Sequence, residues 1–386
     1  MIRHIALALS AAFAFFTASS QTLPPWRKGW FDIHHIATGK GECQFLVFPD
    51  GTTILIDCGD MTGEGRGWAH SKALPDSTKS PAEWAAHYID SFSPTPGHLD
   101  YVLLSHFHRD HMAGLPELAG YFDIGLWVDR GYPDYDFPSV EKVEKQDKGV
   151  KEYKAFVGAA VKEGKFKAEG FKVGSHKQFV QKRKNREFDI WNVAGALMIT
   201  DKKGKIRKMY TEDPMRFDEN MFSCAQLFRY GDFRYFSGGD IPGMTLSKKK
   251  DAPNRDYESQ IADLVAPCSV IKANHHGYRD STNPYYLWKM APDVVIIDAI
   301  EASHPRRETM ARLCDKAYPG KRLLYATSEA GREKMANERL FSQFSGIGHI
   351  VVRVYDGGET FQVFVLNAKS LGYEVLSKSE ILLSAR

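Results

Sequence analysis

From about residue 31 onward, short apolar runs alternate with polar turns, and both strand and helix periods are present. The stretch "CQFLVFPDGTTILIDCGD" reads as two strands joined by a turn at Pro49-Asp50-Gly51. "YVLLS" is a short continuous apolar run, the mark of a buried strand, ending at Ser105. "CAQLFRYGDFRYFSGGD" divides at Gly231-Asp232 into two strand-like halves, a hairpin. "SVIKAN", "VVIID", "RLLYAT", "HIVVRVY" and "TFQVFVL" read as further strands. Helical signals lie between them. Ser80-Pro81-Ala82-Glu83 has the form of a capping box with proline at the first helical position, so a helix follows through Tyr88. Others are expected at Tyr257–Leu264, Pro284–Lys289 and Pro305–Ala317.

The pattern changes between Asp129 and about Phe217. Val140, Val143, Val150, Tyr153, Val157 and Val161 recur at helical spacing. Lys182, Arg183, Lys184 and Arg186 then form a basic stretch, expected as a solvated face. Residues 129–217 are therefore expected to be a helical and basic insertion. Strands and helices mix along the whole chain without internal repeats, which predicts a sheet-rich α/β protein (α+β by some schemes).

Composition narrows the picture further. A 386-residue chain that is 43% hydrophobic and 26% charged is globular rather than disordered or fibrous. Its net charge of +3 is too small to dictate a partner. Arg3, the run "IALALSAAFAFF" and "TASS" read as an export signal over residues 1–20, leaving a domain of residues 21–386. The run is shorter than the roughly 20 apolar residues a span needs, and no later segment is apolar enough. The expected location is exported, periplasmic or secreted. Five cysteines, well spread and without CxxC spacing, argue against a thiolate zinc site and are expected as buried thiols.

The chemistry gathers at strand ends. "SHFHRDH" places His106, His108, Asp110 and His111 directly after an apolar run, and imidazole and carboxylate are ligands for zinc and similar ions. In this spacing the first two histidines can face one metal and the Asp-His pair a second, a two-ion arrangement suited to hydrolysis. "YFSGGD" ends another strand with Asp240, a carboxylate that can bridge two ions, after two glycines that permit close approach. "IKANHHG" ends a third with His275 and His276. Neighbours in an extended strand point to opposite sides, so one is expected to ligate, with His275 favoured.

These residues resemble the metallo-β-lactamase superfamily: Asp57 in "LIDCGD", His106-x-His108-x-Asp110-His111, Asp240, and His275 or His276 match its motifs. The resemblance implies a four-layer αβ/βα sandwich with the site along one edge, two bound divalent ions, and Asp57 orienting ligands rather than binding metal. Zinc is the first expectation, with manganese or iron as the other candidates. Within the superfamily the chain looks most like the exported hydrolase-like domain of DNA-uptake (competence) channel proteins, through its opening hairpin, "NHHGYRDS" and "SHPRRETMARL". The teichoic-acid phosphorylcholine esterases are a second similar group. One histidine of the family pattern is missing before the strand leading to Asp240. Asn220 or a water takes its place, or His176 folds back to it, with Asn220 favoured.

The expected function is an exported metal-dependent hydrolase, a phosphodiesterase with nucleases included, using a metal-bound hydroxide. Asp110, or the bridging water itself, manages protons, and His304, before a helix start, is a second catalytic candidate. Lys272, Tyr278 and Arg279 are expected to meet an anionic small-molecule or nucleic-acid substrate. The alternatives are hydrolysis of lactams, lactones or thioesters, iron redox chemistry, or metal binding without turnover. Oligomeric state is not legible.

Overall fold

The computed structural model describes residues 21–62, 72–135, 144, 149–300, 304–329 and 338–384. The expected export signal and the first part of the helix expected from Val140 lie outside them. The strands form two large sheets. In one, the hairpin strands Cys43–Val47 and Thr53–Cys58 lie at the centre, flanked by Phe31–His35, His349–Val354 and Thr360–Leu366 on one side. His98–Leu103, Asp123–Asp129 and Lys167–Gly170 continue it in parallel on the other. The second sheet is centred on Phe233–Ser237. That strand pairs antiparallel with Ala225–Tyr230 and parallel with Val270–Lys272, which in turn pairs with Val294–Ile297.

Three cores make four layers. Ile54, Ile56, Leu103, Val128, Phe228, Tyr235, Val270 and Ile296 fill the space between the sheets. A second core joins the outer face of the first sheet to helices Pro81–Phe92 and Gly149–Lys162, through Ala85, Ile89, Tyr153 and Val157. A third joins the outer face of the second sheet to helices Glu258–Val265, Pro284–Met290 and Arg307–Cys314, through Ile261, Leu287 and Met310. Apolar burial on both faces explains why these strands read as near-continuous apolar runs. Ser80 caps the first helix as the sequence predicts, its Oγ accepting from Glu83 N at 3.0 Å.

Residues 129–217 do more than supply a helix. Lys167–Gly170 extends the first sheet, and Phe188–Gly195 pairs with Ala225–Tyr230 in the second. The segment is woven into both layers. No helix among the described residues is long and apolar enough to cross a membrane.

Candidate metal centre

Four strand ends converge on one edge of the sandwich: Thr53–Cys58, His98–Leu103, Phe233–Ser237 and Val270–Lys272. Each pair is parallel within its sheet, so their C-terminal loops open to the same side. In open α/β sheets ligands gather outside such ends.

Asp57 owes its place to an irregularity. Gln44 pairs with Ile56 and Cys43 with Cys58, so Asp57 is an extra residue, a bulge at φ +60°. A bulge re-aims a side chain. Here the Asp57 carboxylate accepts from Ser105 N (2.7 Å), Ser105 Oγ (2.6 Å) and His111 Nδ1 (2.7 Å). It thus ties the start of the histidine loop to its end. Gly59 lets that loop approach: a Cβ there would sit 1.9 Å from Asp110 O.

His111 and His276 present the same face inward. His276 Nδ1 lies 2.8 Å from the carbonyl oxygen of Asp298, which can only accept, so Nδ1 carries the proton. Asp57 fixes His111 the same way. The two Nε2 atoms stand 3.0 Å apart, each 3.3 Å from Asp240 Oδ2. Asp110 Oδ2 is 3.3 Å from His276 Nε2 and 3.8 Å from His111 Nε2. His106 Nε2 lies 3.8 Å from Asp240 Oδ2 and 3.2 Å from His108 Nδ1. His111, Asp240 and His276 are buried.

This donor set suits a cation. Glu42, His111, Asp240 and His276 bring donor atoms within 4.8 Å of one another in a buried spot, with Asp110 Oδ2 beside them, and Asp240 Oδ1 makes no hydrogen bond among the described residues. Burial opposes charge on His276, but Asp240 and Asp110 outweigh it and raise its pKa to about 9. His111 is raised likewise, against burial, by Asp240, Asp110 and Asp57.

Several expectations need correction. His276, not the favoured His275, aims at this cluster. The alternation argument assumed an extended chain, whereas His275 and His276 both have left-handed φ, 47° and 51°. His275 Nδ1 instead meets Asp280 Oδ1 at 2.7 Å, and its Nε2 lies 3.0 Å from Asn220 Nδ2. His176 does not fold back. It stacks on Trp191 and pairs with Asp189 at 2.9 Å, 44% exposed. Asn220 stands beside His275. Lys272 cannot meet substrate: it is fully buried, with Nζ 2.6 Å from Glu42 Oε2 and donating to Gly239 O at 2.7 Å. Burial lowers its pKa, but Glu42 and Asp240 outweigh this and raise it.

His304 lies beside the His275–His276 turn. Its ring lies 5.7 Å from that of His276, 5.5 Å from His275, and stacks on Tyr278 at 4.9 Å. It precedes the helix Arg307–Cys314 rather than capping it. Arg306 and Arg279 lie over the other reaches of Tyr278, at 5.1 and 5.6 Å.

Two supporting groups carry no signature in the sequence. Glu42 Oε2 faces the Nδ1 atoms of His276 (3.6 Å) and His111 (3.9 Å), the sides already committed to Asp298 O and Asp57. Lys272 holds it there, behind the imidazoles rather than among the inward lone pairs. Glu219 accepts from Phe107 N at 2.9 Å and from Arg130 Nε at 2.7 Å, steadying the loop between His106 and His108. Glu42 sits in a glycine-rich turn and Glu219 in an irregular segment, where neither shows a period.

A profile described as the Metallo-beta-lactamase superfamily matches residues 43–182. Among solved structures, the metallo-beta-lactamase fold protein YhfI from Bacillus subtilis is similar at 12% identity, over 83% of this chain and 95% of that one, with a TM-score of 0.35. PDE1 of yeast matches at 11% identity, over 82% and 96%, with a TM-score of 0.39. CmlA, a diiron β-hydroxylase from Streptomyces venezuelae, matches at 11%, over 84% of this chain and 54% of that one, with a TM-score of 0.38. These are loose superpositions and assign no activity. Together, the profile match and the two-sheet architecture give the chain the metallo-β-lactamase sandwich fold, as the sequence predicts. The buried cluster of histidines and carboxylates at the strand ends is its candidate metal centre.

Proposed function

We propose that the chain is an exported metal-dependent phosphodiesterase, nucleases included, working with two divalent cations, zinc first among them. The observation that carries the substrate class is the rim. His304, Tyr278, Arg279 and Arg306 form a cationic and aromatic border directly beside the His275–His276 turn. Such a border favours an anionic ester over a neutral amide. The likeness to DNA-uptake domains and teichoic-acid esterases supports the same class.

Asp110, His111, Asp240 and His276 would hold one cation. His106, His108 and Asp240 would hold the other, with Asn220 and His275 at its flank. A bound divalent ion supplies Lewis acidity and a water of lowered pKa. The protein's own groups do the rest. Asp110 would take up the proton of the attacking water through the carboxylate oxygen turned away from the imidazoles. His304 donates a proton to the departing oxygen. Arg279 and Arg306 hold the non-bridging oxygens, and Tyr278 keeps both guanidinium groups in place.

The test is elemental analysis of the purified protein, then a panel of phosphodiesters, nucleic acids, lactams, lactones and thioesters. The proposal expects bound divalent metal and turnover of phosphodiesters. Turnover confined to carbonyl substrates moves the reaction to acyl transfer. Bound iron with redox turnover displaces hydrolysis, and a loaded but inert protein leaves a metal-binding role.

A further inference from the structure

Cys43 and Cys58 are cross-strand partners in the central hairpin. The bulge at Asp57 brings this about. Along Thr53–Cys58, Ile54 and Ile56 point between the sheets, and without the extra residue Cys58 would follow them. Instead it turns to the helix-facing core that also takes Cys43, Phe45 and Val47. The two thiols therefore share a face, both fully buried. Directly opposed strand residues have Cα atoms about 4.5–5.5 Å apart, within the range that a disulfide spans. Each cysteine also adjoins an acid of the metal centre: Cys43 follows Glu42, and Cys58 follows Asp57.

We infer that Cys43 and Cys58 form a disulfide in an oxidising compartment, and that this bond locks the bulge that aims Asp57 at His111. The two thiols lose two protons and two electrons as the S–S bond forms. A small-molecule disulfide such as oxidised glutathione, or the active-site disulfide of an oxidoreductase, takes them up as its own S–S bond becomes two thiols. Because both sulfurs are sealed in the core, the bond forms while the chain is still open, and the folded protein then shields it. Cys224 and Cys268, buried in other cores, have no such opposite neighbour among the described residues.

The experiment is refolding of the full chain in a buffer of oxidised and reduced glutathione, followed by alkylation under denaturing conditions without reductant. The expected product has two fewer reactive thiols than its five cysteines, and digestion yields a peptide joining Cys43 to Cys58. A folded product in which both residues are alkylated overturns the pairing, as does a linkage to Cys224, Cys268 or Cys314. The functional half is read separately, as the rate at which zinc passes to a chelator. Release is expected to be several-fold slower from the oxidised than from the reduced protein. Equal rates overturn the locking role. The variant C43A/C58V, which keeps the core apolar, should release zinc at the reduced rate in either buffer; a redox-dependent rate in that variant also overturns it. Neither readout depends on which ester, if any, the protein cleaves.

Discussion

Asp57 commits both carboxylate oxygens, to Ser105 and to His111, from a backbone position that only the bulge provides. Replacing one oxygen by an amide in Asp57→Asn turns a donor toward a donor on one side and frees the His111 tautomer. Groups that orient metal-bound histidines typically cost about 10–100-fold in metal affinity when lost. Asp57→Asn should therefore weaken zinc binding by about that factor, measured by competition with a chromogenic chelator. Unchanged affinity would mean that His111 is held by packing alone. Lys272 makes a different prediction. It compensates Glu42 and Asp240 in full burial, and breaking such a set from one side costs about 3–5 kcal/mol. Lys272→Met should lower stability to urea by about that amount, and Lys272→Met with Glu42→Gln should recover much of it. Equal losses in the single and double variants would show that the pair does not act as a unit.

At the scale of elements, the turn carrying His275 and His276 is pinned from behind by helix Glu258–Val265. Glu258 Oε1 accepts from Asn274 Nδ2 (2.9 Å) and Thr282 N (2.7 Å), and Oε2 accepts from Asn283 N (2.7 Å). Arg312 of helix Arg307–Cys314 holds Thr282 O and Ser281 O. In Glu258→Gln, one amide nitrogen must face a donor, since three N–H groups converge on the two oxygens. An unmade buried hydrogen bond costs about 1–3 kcal/mol. The variant should lose stability in that range and bind zinc more weakly, while the exposed neighbour Asp263→Asn should change neither. The elements themselves were legible. Apolar runs marked the strands, and a capping box marked the helix at Pro81. The turn was legible as chemistry but not as geometry. Which of two adjacent histidines faces inward depends on two left-handed backbone positions, and no periodicity records those. The bulge at Asp57 was hidden for the same reason, since "TILIDC" reads as one unbroken strand. Pairings such as Arg130 with Glu219 join segments far apart in sequence, where a charge on an irregular stretch looks like any surface charge.

For the molecule as a whole, the first sheet carries a pH sensitivity of its own. His349 begins the strand beside Phe31–His35 and is fully enclosed. Its Nδ1 accepts from Ala37 N at 3.0 Å, and its ring packs against Tyr88. Burial depresses its pKa from 6.5 to about 3. His34, on the neighbouring strand, is lowered too, by burial and then by the charge of Arg353. A folded pKa below the unfolded one means that protons bind the unfolded chain first. The stability these residues allow is complete above about pH 6.5 and drains away as pH falls from there toward 3. At one pKa unit per about 1.4 kcal/mol, His349 accounts for at most about 5 kcal/mol across that window. His349→Asn keeps an acceptor for Ala37 N and removes the titration. Urea unfolding measured from pH 8 to pH 4 should fall less steeply with acid in His349→Asn than in the parent. Both should run parallel above pH 7, where the imidazole is neutral in either state. If the two proteins lose stability at the same rate between pH 6.5 and 4, acid sensitivity lies elsewhere. The paired carboxylates of the metal cluster would then be next to examine, and saturating zinc should shift their contribution while leaving that of His349 untouched.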